Sequence, residues 1–319
     1  MAQFDSGRPD MESIQQPVAA EREYNEAWFK RRAIESIKPK GEGAWDFSDS
    51  LLLYQPKGAH EYETMQAEGT AYSELVTKPE REYLESIAVE VAAQLPDGFS
   101  YIDLGPGTEH KEQYLFDALR EEGKEFEYVP VDINEYFLSL ADKHAAGQGI
   151  ATRPVQASFE ELAAKLGPVE KPRFVSLGLT FSNYDPAELF ELLKPIAGRG
   201  GMIFVDAHMR DRTDMQKLRD VYDVDAQGIT MSKFELVDMD ATKDVEDILT
   251  DERIEVWCKA KSPSPALKEK GIKVGDRLLI FRSLRYTKNE FENVLKKSFK
   301  KYVVLDTSTP FVGALLWNE

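Results

Sequence analysis

The chain has 319 residues, with 57 acids against 40 bases and a formal net charge of −17. Hydrophobic residues make up 42% of it, which predicts a globular fold with an ample core. The acidic balance argues against nucleic acid as a partner, because that binding depends on Lys and Arg at the phosphates. The single cysteine, Cys258, excludes an internal disulfide and a cysteine metal cluster.

The four histidines show no metal-ligand spacing along the sequence, so we predict no metal site. No run approaches the roughly 20 apolar residues that cross a bilayer, so we expect no membrane partner. Residues 1–17 lack the apolar centre of a signal peptide, which favours a cytoplasmic location. The oligomeric state stays open.

Taken in chain order, residues 1–20 are polar and without an apolar period, which predicts disorder. A helix is predicted over 24–37 and a loop over 41–50, from the spacing of apolar residues. A second helix is predicted to begin at Lys78, where Pro79 fits the first turn.

From residue 100 onward, strand and helix patterns alternate. This order predicts a parallel sheet with right-handed crossovers. The predicted strands are 101–104, 128–133, 152–157, 174–179 and 202–205, and the predicted helices are 111–122, 136–145, 159–166 and 186–196. The alternation breaks at residue 210 and resumes at residue 288. The inserted segment has a predicted helix at 215–222 and strands at 255–260 and 278–283; a helix at 288–297 and an antiparallel pair at 302–306 and 312–317 follow it.

A glycine-rich turn follows the first strand of this alternating region. Gly105 and Gly107 would let the backbone approach a ligand where a Cβ would clash. Asp132, after the next strand, can accept both hydroxyls of a ribose. His110 stands where the third glycine of a dinucleotide fingerprint would be. The pattern therefore favours S-adenosylmethionine (SAM) over NAD, with a plain βα turn as the alternative.

These patterns predict an α/β fold of class I methyltransferase type: a Rossmann-like seven-stranded sheet with an inserted substrate-binding lobe. We assign the SAM-binding domain to 85–207 and 287–319. The lobe is assigned to 21–84 and 208–286. Methyl transfer mainly requires that the two reactants be positioned, which is consistent with a sequence dominated by cofactor motifs.

Five segments in order resemble motifs of the histidine-specific SAM-dependent methyltransferase family, the type of the ergothioneine-pathway histidine Nα-methyltransferases and the fungal dimethylallyltryptophan N-methyltransferases. The segments lie at 103–111, 128–133, 177–184, 218–230 and 275–286. The resemblance implies a set of cofactor-binding residues: Asp103, Gly105, Gly107, Thr108, Lys111, Asp132, Ser158 and Phe159.

The resemblance gives several of these residues a role. Lys111 would meet the methionine carboxylate, Phe159 would cover the adenine, and Ser158 replaces the usual acid at its position. The residues themselves leave plainer alternatives: a solvated Lys111, a core Phe159, and Asp132 as a helix N-cap.

Four further residues are implied in the acceptor site. Asn183 would orient the acceptor amine or its carboxylate, and Tyr222 would contact the carboxylate; both are candidate catalytic residues. Their alternatives are a turn-forming asparagine and a core aromatic at a helix end. Phe281 and Ser283 would bind the acceptor side chain. Phe281 stands where the family has its imidazole-binding glutamate, so we expect an acceptor other than histidine.

The predicted function is that of a SAM-dependent N-methyltransferase acting on the amino group of a small amino acid or amine. Two alternatives remain open: an O- or C-methyltransferase of a small metabolite, and a SAM-binding protein without transfer activity.

Overall fold

The computed structural model describes residues 24–239, 245–250 and 252–319. The prediction for residues 1–20 lies outside these ranges. Twelve strands occur in the described residues and form two sheets. They are β1 (Lys38–Gly41), β2 (Ala44–Asp46), β3 (Phe99–Leu104), β4 (Phe126–Asp132), β5 (Val155–Gln156), β6 (Arg173–Leu177), β7 (Met202–His208), β8 (Val245–Leu249), β9 (Arg253–Lys259), β10 (Arg277–Leu284), β11 (Tyr302–Asp306) and β12 (Phe311–Trp317).

Eleven α-helices lie in the same described ranges. They are α1 (Glu26–Ser36), α2 (Pro56–Gln66), α3 (Lys78–Gln94), α4 (Gln113–Glu121), α5 (Glu135–Gly147), α6 (Phe159–Leu166), α7 (Pro186–Ala197), α8 (Met215–Val224), α9 (Gln227–Met231), α10 (Pro265–Glu269) and α11 (Lys288–Ser298). Short 3₁₀ turns at Ser50–Tyr54 and Leu179–Asn183 also position the site. None of the helices in the described part of the chain combines the length and apolar character needed to cross a membrane.

The larger sheet has the strand order β11-β12-β7-β6-β3-β4-β5. All pairings are parallel except those of β12, which runs antiparallel to both β7 and β11. This arrangement confirms the predicted Rossmann-like, class I methyltransferase sheet. It also confirms the antiparallel closing pair. Parallel strands end at the same edge, so the turns after β3, β4 and β6 meet there.

Some predicted boundaries were wrong for local reasons. The strand predicted at 152–157 is reduced to β5 and an isolated bridge between Thr152 and Tyr128, because Pro154 has no N–H for a ladder. The strand predicted at 174–179 ends at Leu177, where the chain turns into the 3₁₀ segment that carries Asn183.

The smaller sheet joins distant parts of the sequence in the order β1-β2-β10-β9-β8. β2 lies within the predicted loop at 41–50, so that prediction was wrong. Its three residues pair in parallel with β10, more than 200 residues further along the chain. A strand this short has no readable alternation, and its partner is not visible locally. The division into two domains stays a prediction.

The two faces of the larger sheet bury different cores. On β7, Ile203 and Val205 pack into one apolar cluster, whereas Met202 and Phe204 pack into the other, which includes residues of α3. Because side chains alternate along a strand, Asp206 lies on the same face of the sheet as Phe204, towards α3. This alternation brings a carboxylate of β7 close to the amino end of α3.

Candidate active site

Two adjoining cavities contain most of the sequence-predicted site residues. The smaller one, with about 500 Å³ of space open in part to solvent, lies at the carboxyl ends of β3 and β4. Its walls include Gly105, Gly107, Asp132, Phe159 and Tyr184. Four of the eight sequence-predicted cofactor residues therefore meet in one cavity: Gly105, Gly107, Asp132 and Phe159.

The glycine turn has the backbone conformation that its sequence predicts. Gly105 and Gly107 have φ angles of +72° and +67°, a region that other residues rarely adopt. A Cβ on Gly107 would stand 3.7 Å from the ring of Tyr62, in the space between the turn and α2. The turn is held to β4 by the Gly105 N–H, which donates to the Val131 carbonyl at 2.9 Å.

Asp132 is the buried acid of this cavity, with 8% of its surface exposed. One carboxylate oxygen accepts the Asn134 N–H at 2.8 Å. Burial raises the pKa of Asp132 to about 7, although backbone N–H groups of Asn134 and Ile133 oppose the shift. The carboxylate keeps acceptor capacity towards the cavity, and Phe159, 6% exposed, supplies an aromatic wall. One acid among apolar walls fits the ribose and adenine of SAM.

Two predicted cofactor residues lie elsewhere. The Ser158 N–H donates to the Tyr24 hydroxyl at 2.9 Å. The Thr108 hydroxyl donates to Gln66 at 3.3 Å. Neither side chain is among the walls of the smaller cavity or of the larger one beside it.

The larger cavity contains about 1270 Å³ of space open in part to solvent. It shares walls with the smaller one at four residues: Tyr54, Tyr62, Gly105 and Thr180. All four predicted acceptor residues lie on its walls: Asn183, Tyr222, Phe281 and Ser283. The inserted segment and the motif after β6 thus face one space next to the smaller cavity.

Lys111 and Asp103 are on the walls of the larger cavity as well. The Lys111 ammonium contacts Glu80 at 2.9 Å and Glu109 at 3.2 Å. Burial lowers the pKa of Lys111, but these two carboxylates outweigh it and hold the pKa above its usual value. Asp103 accepts the Tyr128 hydroxyl at 2.7 Å, and burial with the nearby charge of Glu112 raises its pKa to about 7.

Sequence reasoning missed Arg285, whose side chain is 2% exposed and lines the larger cavity. Its guanidinium donates to the Ser283 hydroxyl at 2.5 Å and to the Tyr222 hydroxyl at 3.0 Å. In the described ranges no carboxylate lies within 4.0 Å of it, and its Nε–H lacks a hydrogen-bond partner. A basic residue two positions after Ser283, directly after the end of β10, was the available signal.

Three tyrosines of the amino-terminal region also line the larger cavity: Tyr54, Tyr62 and Tyr72. Burial raises the pKa of each, so all three keep their protons at neutral pH. Tyr72 lies edge-on to Tyr222, with ring centroids 6.0 Å apart. The tyrosines close the space above the glycine turn with rings and hydroxyl groups.

His110, Glu112 and His144 bring potential metal-ligand atoms within 4.8 Å of one another. The two imidazoles are stacked, with centroids 4.0 Å and planes 13° apart. An imidazole nitrogen binds a metal ion through a lone pair that lies in the plane of its ring. An ion between two parallel rings would lie far out of both planes, so the two imidazoles are arranged as a stacked pair and not as two ligands of one ion.

A family model described as histidine-specific, SAM-dependent methyltransferase matches residues 45–245. Over 204 residues, the chain is 28% identical to a histidine N-alpha-methyltransferase of Mycolicibacterium smegmatis, covering 58% of this chain and 62% of that protein. Over 136 residues it is 29% identical to the N-methyltransferase dtpB of Aspergillus flavus, covering 41% and 37%. The matches thus span less than two thirds of these curated relatives.

Solved structures give weaker similarities. The PH0226 protein of Pyrococcus horikoshii aligns over 82% of this chain and 97% of its own, with a TM-score of 0.46 and 16% identity. A SAM-dependent methyltransferase of Clostridium acetobutylicum aligns over 81% and 96%, with a TM-score of 0.39 and 16% identity. On the family match, which covers more than half of its length, the chain belongs to the histidine-specific, SAM-dependent methyltransferase family.

Proposed function

We propose that the protein is a SAM-dependent N-methyltransferase whose acceptor is an α-amino acid with an apolar, aromatic side chain, other than histidine. The observation that carries this proposal is the buried guanidinium of Arg285, which has no carboxylate partner among the described residues and lines the same cavity as Tyr222 and Phe281. The relatives with printed activities are N-methyltransferases, which supports nitrogen as the acceptor atom.

Arg285 supports an acceptor that has a carboxylate. A buried charge without an opposite charge is costly, and a substrate carboxylate would compensate it. Arginine binds carboxylates through paired N–H groups, and the unpartnered Nε–H of Arg285 is such a donor. Asn183 and Tyr222 line the same cavity. They would then hold the amino and carboxylate groups of the acceptor so that the amine points towards the cofactor pocket.

The walls around Phe281 support an apolar side chain on the acceptor. The Phe281 ring stacks on Tyr222, and Ile229 lines the same cavity. The Ser283 hydroxyl accepts from Arg285 and can still donate its own hydrogen to one imidazole nitrogen, which leaves the other imidazole nitrogen against the apolar wall around Phe281 without a partner. A buried imidazole without a partner loses about 1–3 kcal/mol, which disfavours histidine roughly ten- to a hundredfold.

In the proposed pocket Asp132 binds the ribose, Phe159 covers the adenine, and the Gly105–Gly107 turn approaches the methionine part. SAM, when bound, supplies an electrophilic methyl group on a sulfonium. The chain's own residues hold the acceptor amine in line and keep water away. Tyr54 and Tyr62 stand where the two cavities meet and would seal that junction. The five-stranded sheet and the segment 208–286 would act as the substrate-binding lobe.

The test is a coupled assay for release of S-adenosylhomocysteine (SAH), with tryptophan, tyrosine, phenylalanine and histidine as acceptors. The matching decarboxylated amines form a second panel. We expect aromatic amino acids to exceed histidine and each amino acid to exceed its amine at least tenfold. Arg285→Gln should reduce the preference for the amino acid over the amine. SAH binding without turnover of any acceptor contradicts the proposal and favours a non-catalytic SAM-binding protein.

A further inference from the structure

Glu80 and Asp206 form a pair of buried carboxylates that the function proposed above does not use. Glu80 is 1% exposed and lies in the first turn of α3; Asp206 has no exposed surface and lies near the end of β7. Both are walls of the larger cavity. Repulsion between two buried acids needs a compensating interaction, and a ligand could supply it.

The two carboxylates share one small volume beside Gly178. A Cβ on Gly178 would stand 3.2 Å from Glu80 Oε1 and 3.9 Å from Asp206 Oδ2, so both carboxylates border the same side of this glycine. Because both also line the larger cavity, a donor group that enters from the cavity can approach the two residues together. A glycine at position 178 keeps this volume free of a side chain.

Within the part of the chain that the structure describes, three oxygens of the pair have no hydrogen-bond partner: Glu80 Oε1, Asp206 Oδ1 and Asp206 Oδ2. An ammonium group has three N–H donors and no acceptor, so its donors match these three oxygens in number, and its charge is opposite in sign to that of a carboxylate. Burial raises the pKa of Asp206, and the charge of Glu80 adds to the shift. A cation bound between the two residues would reverse that effect.

The remaining Glu80 oxygen accepts from Lys111 at 2.9 Å. The two acids and Lys111, four residues after Gly107, thus lie next to one another on the wall of the larger cavity. The ammonium and carboxylate groups of an amino acid are likewise neighbours, because one α-carbon carries both. An amino-acid group would therefore interact with both the acids and the lysine, whereas a free amine would interact only with the acids.

We propose that Glu80 and Asp206 bind the α-ammonium group of the cofactor's methionine end, while Lys111 binds its carboxylate. This inference rests on SAM as the cofactor but not on the identity of the acceptor. The acceptor amino acid is the other possible source of an ammonium group, and the experiment separates the two.

The experiment compares two probes by calorimetry: SAH, and 5′-methylthioadenosine, which keeps the nucleoside and thioether but lacks the amino-acid end. Glu80→Gln and Asp206→Asn remove one charge each with little change in shape. We expect each variant to bind SAH about 10- to 100-fold more weakly. Affinity for methylthioadenosine should stay within about threefold of that of the unmodified protein. The ratio of SAH affinity to methylthioadenosine affinity should therefore fall about as much as SAH affinity itself.

Glu109→Gln is the matched control, because Glu109 also contacts Lys111 but is not among the walls of the cavity. It should keep the ratio of the unmodified protein. Gly178→Ala retains both charges but puts a methyl group beside Glu80, and it should lower the ratio without loss of either acid. Far-UV circular dichroism and thermal melting verify the fold of each variant.

Parallel loss of affinity for both probes, or no loss for either, overturns the proposal. So does a Glu109→Gln effect as large as that of Glu80→Gln, because the acids would then act only through Lys111. An unchanged ratio with a raised KM for the acceptor assigns the ammonium to the acceptor and also overturns it. Failure of the unmodified protein to bind SAH contradicts the cofactor pocket itself, a separate result.

Discussion

Tyr222 and Phe281 stack with their ring centroids 5.5 Å apart and their planes 23° apart. Tyr222 comes from α8 and Phe281 from β10. The Tyr222 hydroxyl also accepts a hydrogen bond from Arg285 at 3.0 Å. Tyr222 therefore contacts both the apolar wall of the larger cavity, at Phe281, and its buried charge, at Arg285. A substitution at Phe281 should thus affect the position of Arg285, and the reverse.

Tyr222→Phe keeps the ring and removes this hydroxyl. Arg285 then has one more donor without a partner, which costs about 1–2 kcal/mol and loosens the guanidinium. We expect KM for an amino-acid acceptor to rise about fivefold to thirtyfold, while calorimetry shows unchanged SAH affinity. Tyr136→Phe, at an exposed residue, is the control and should alter neither quantity. A Tyr222→Phe variant with the KM of the parent contradicts the role of the hydroxyl.

Phe281→Glu tests the apolar wall. The change breaks the stack on Tyr222 and buries an acid, which should lower the free energy of unfolding by about 2–4 kcal/mol. Turnover of aromatic amino acids should fall at least tenfold, and the ratio of histidine to tryptophan turnover should rise. Denaturant titration and steady-state kinetics measure the two effects. Efficient methylation of histidine by the unmodified protein would show that Phe281 does not select against it.

The sequence was sufficient for those parts of the site that lie close together along the chain. Gly105, Gly107 and Asp132 follow neighbouring parallel strands, and such strands always end at one edge of a sheet. Lys111 belongs to the same loop. The α/β alternation was long enough to identify every strand of the larger sheet, although Pro154 shortened one of them.

The rest depends on contacts between distant segments. β2 has three residues and is stabilised by β10, so neither periodicity nor a turn motif marks it as a strand. Tyr62 lies on α2, a helix whose mixed polarity gives no clear apolar face along the sequence. Arg285 resembles a surface residue until the fold buries it between Tyr222 and Ser283. Its burial depends on the contact of its guanidinium with Tyr222 of α8, more than 60 residues earlier in the chain, which no local pattern shows.

Gly58→Ala should destabilise the segment that carries Tyr62. Gly58 lies in α2, and a Cβ there would stand 1.9 Å from the Leu53 carbonyl oxygen of the preceding 3₁₀ turn. Backbone must move to relieve this overlap, so we expect a loss of about 2–4 kcal/mol in unfolding free energy. Gly98→Ala is a useful comparison, because it has nothing within 4 Å of the added Cβ and only the strain of a positive φ. Equal melting temperatures for the two variants contradict the packing argument.

Asp132→Asn should weaken SAH binding while the protein stays folded. The amide has similar shape but only one acceptor oxygen for the two ribose hydroxyls, and it loses the charge that strengthens those bonds. We expect about a 10- to 100-fold loss of affinity by calorimetry. Asp142→Asn, on the partly exposed side of α5, is a matched control. Unchanged SAH affinity in a folded Asp132→Asn protein excludes the ribose role.

The raised pKa of Asp132, about 7, gives opposite pH dependences for binding and for stability. Ribose hydroxyls donate to the ionised carboxylate, so SAH affinity should rise as pH increases towards 7, at most about tenfold per unit, and then level off. For folding, the native state retains a proton between the ordinary carboxyl pKa and about 7, where the unfolded chain has released it. The contribution of Asp132 to stability therefore falls as pH rises through that window.

The same reasoning predicts a difference between the parent and Asp132→Asn. The stability of the variant relative to the parent should increase as pH rises from about 4 to 7 and then stay constant, a total change of about 4 kcal/mol at most. Because asparagine does not titrate, residue 132 of the variant should cause no change in its weak SAH binding over this pH range. Asp103, whose pKa is also raised to about 7, is present in both proteins; the charge of Asp132 is the smallest of the causes of that shift, so most of the difference comes from Asp132 itself. Parallel pH profiles for the two proteins, in denaturant unfolding and in SAH calorimetry, contradict the assignment of the titration to Asp132.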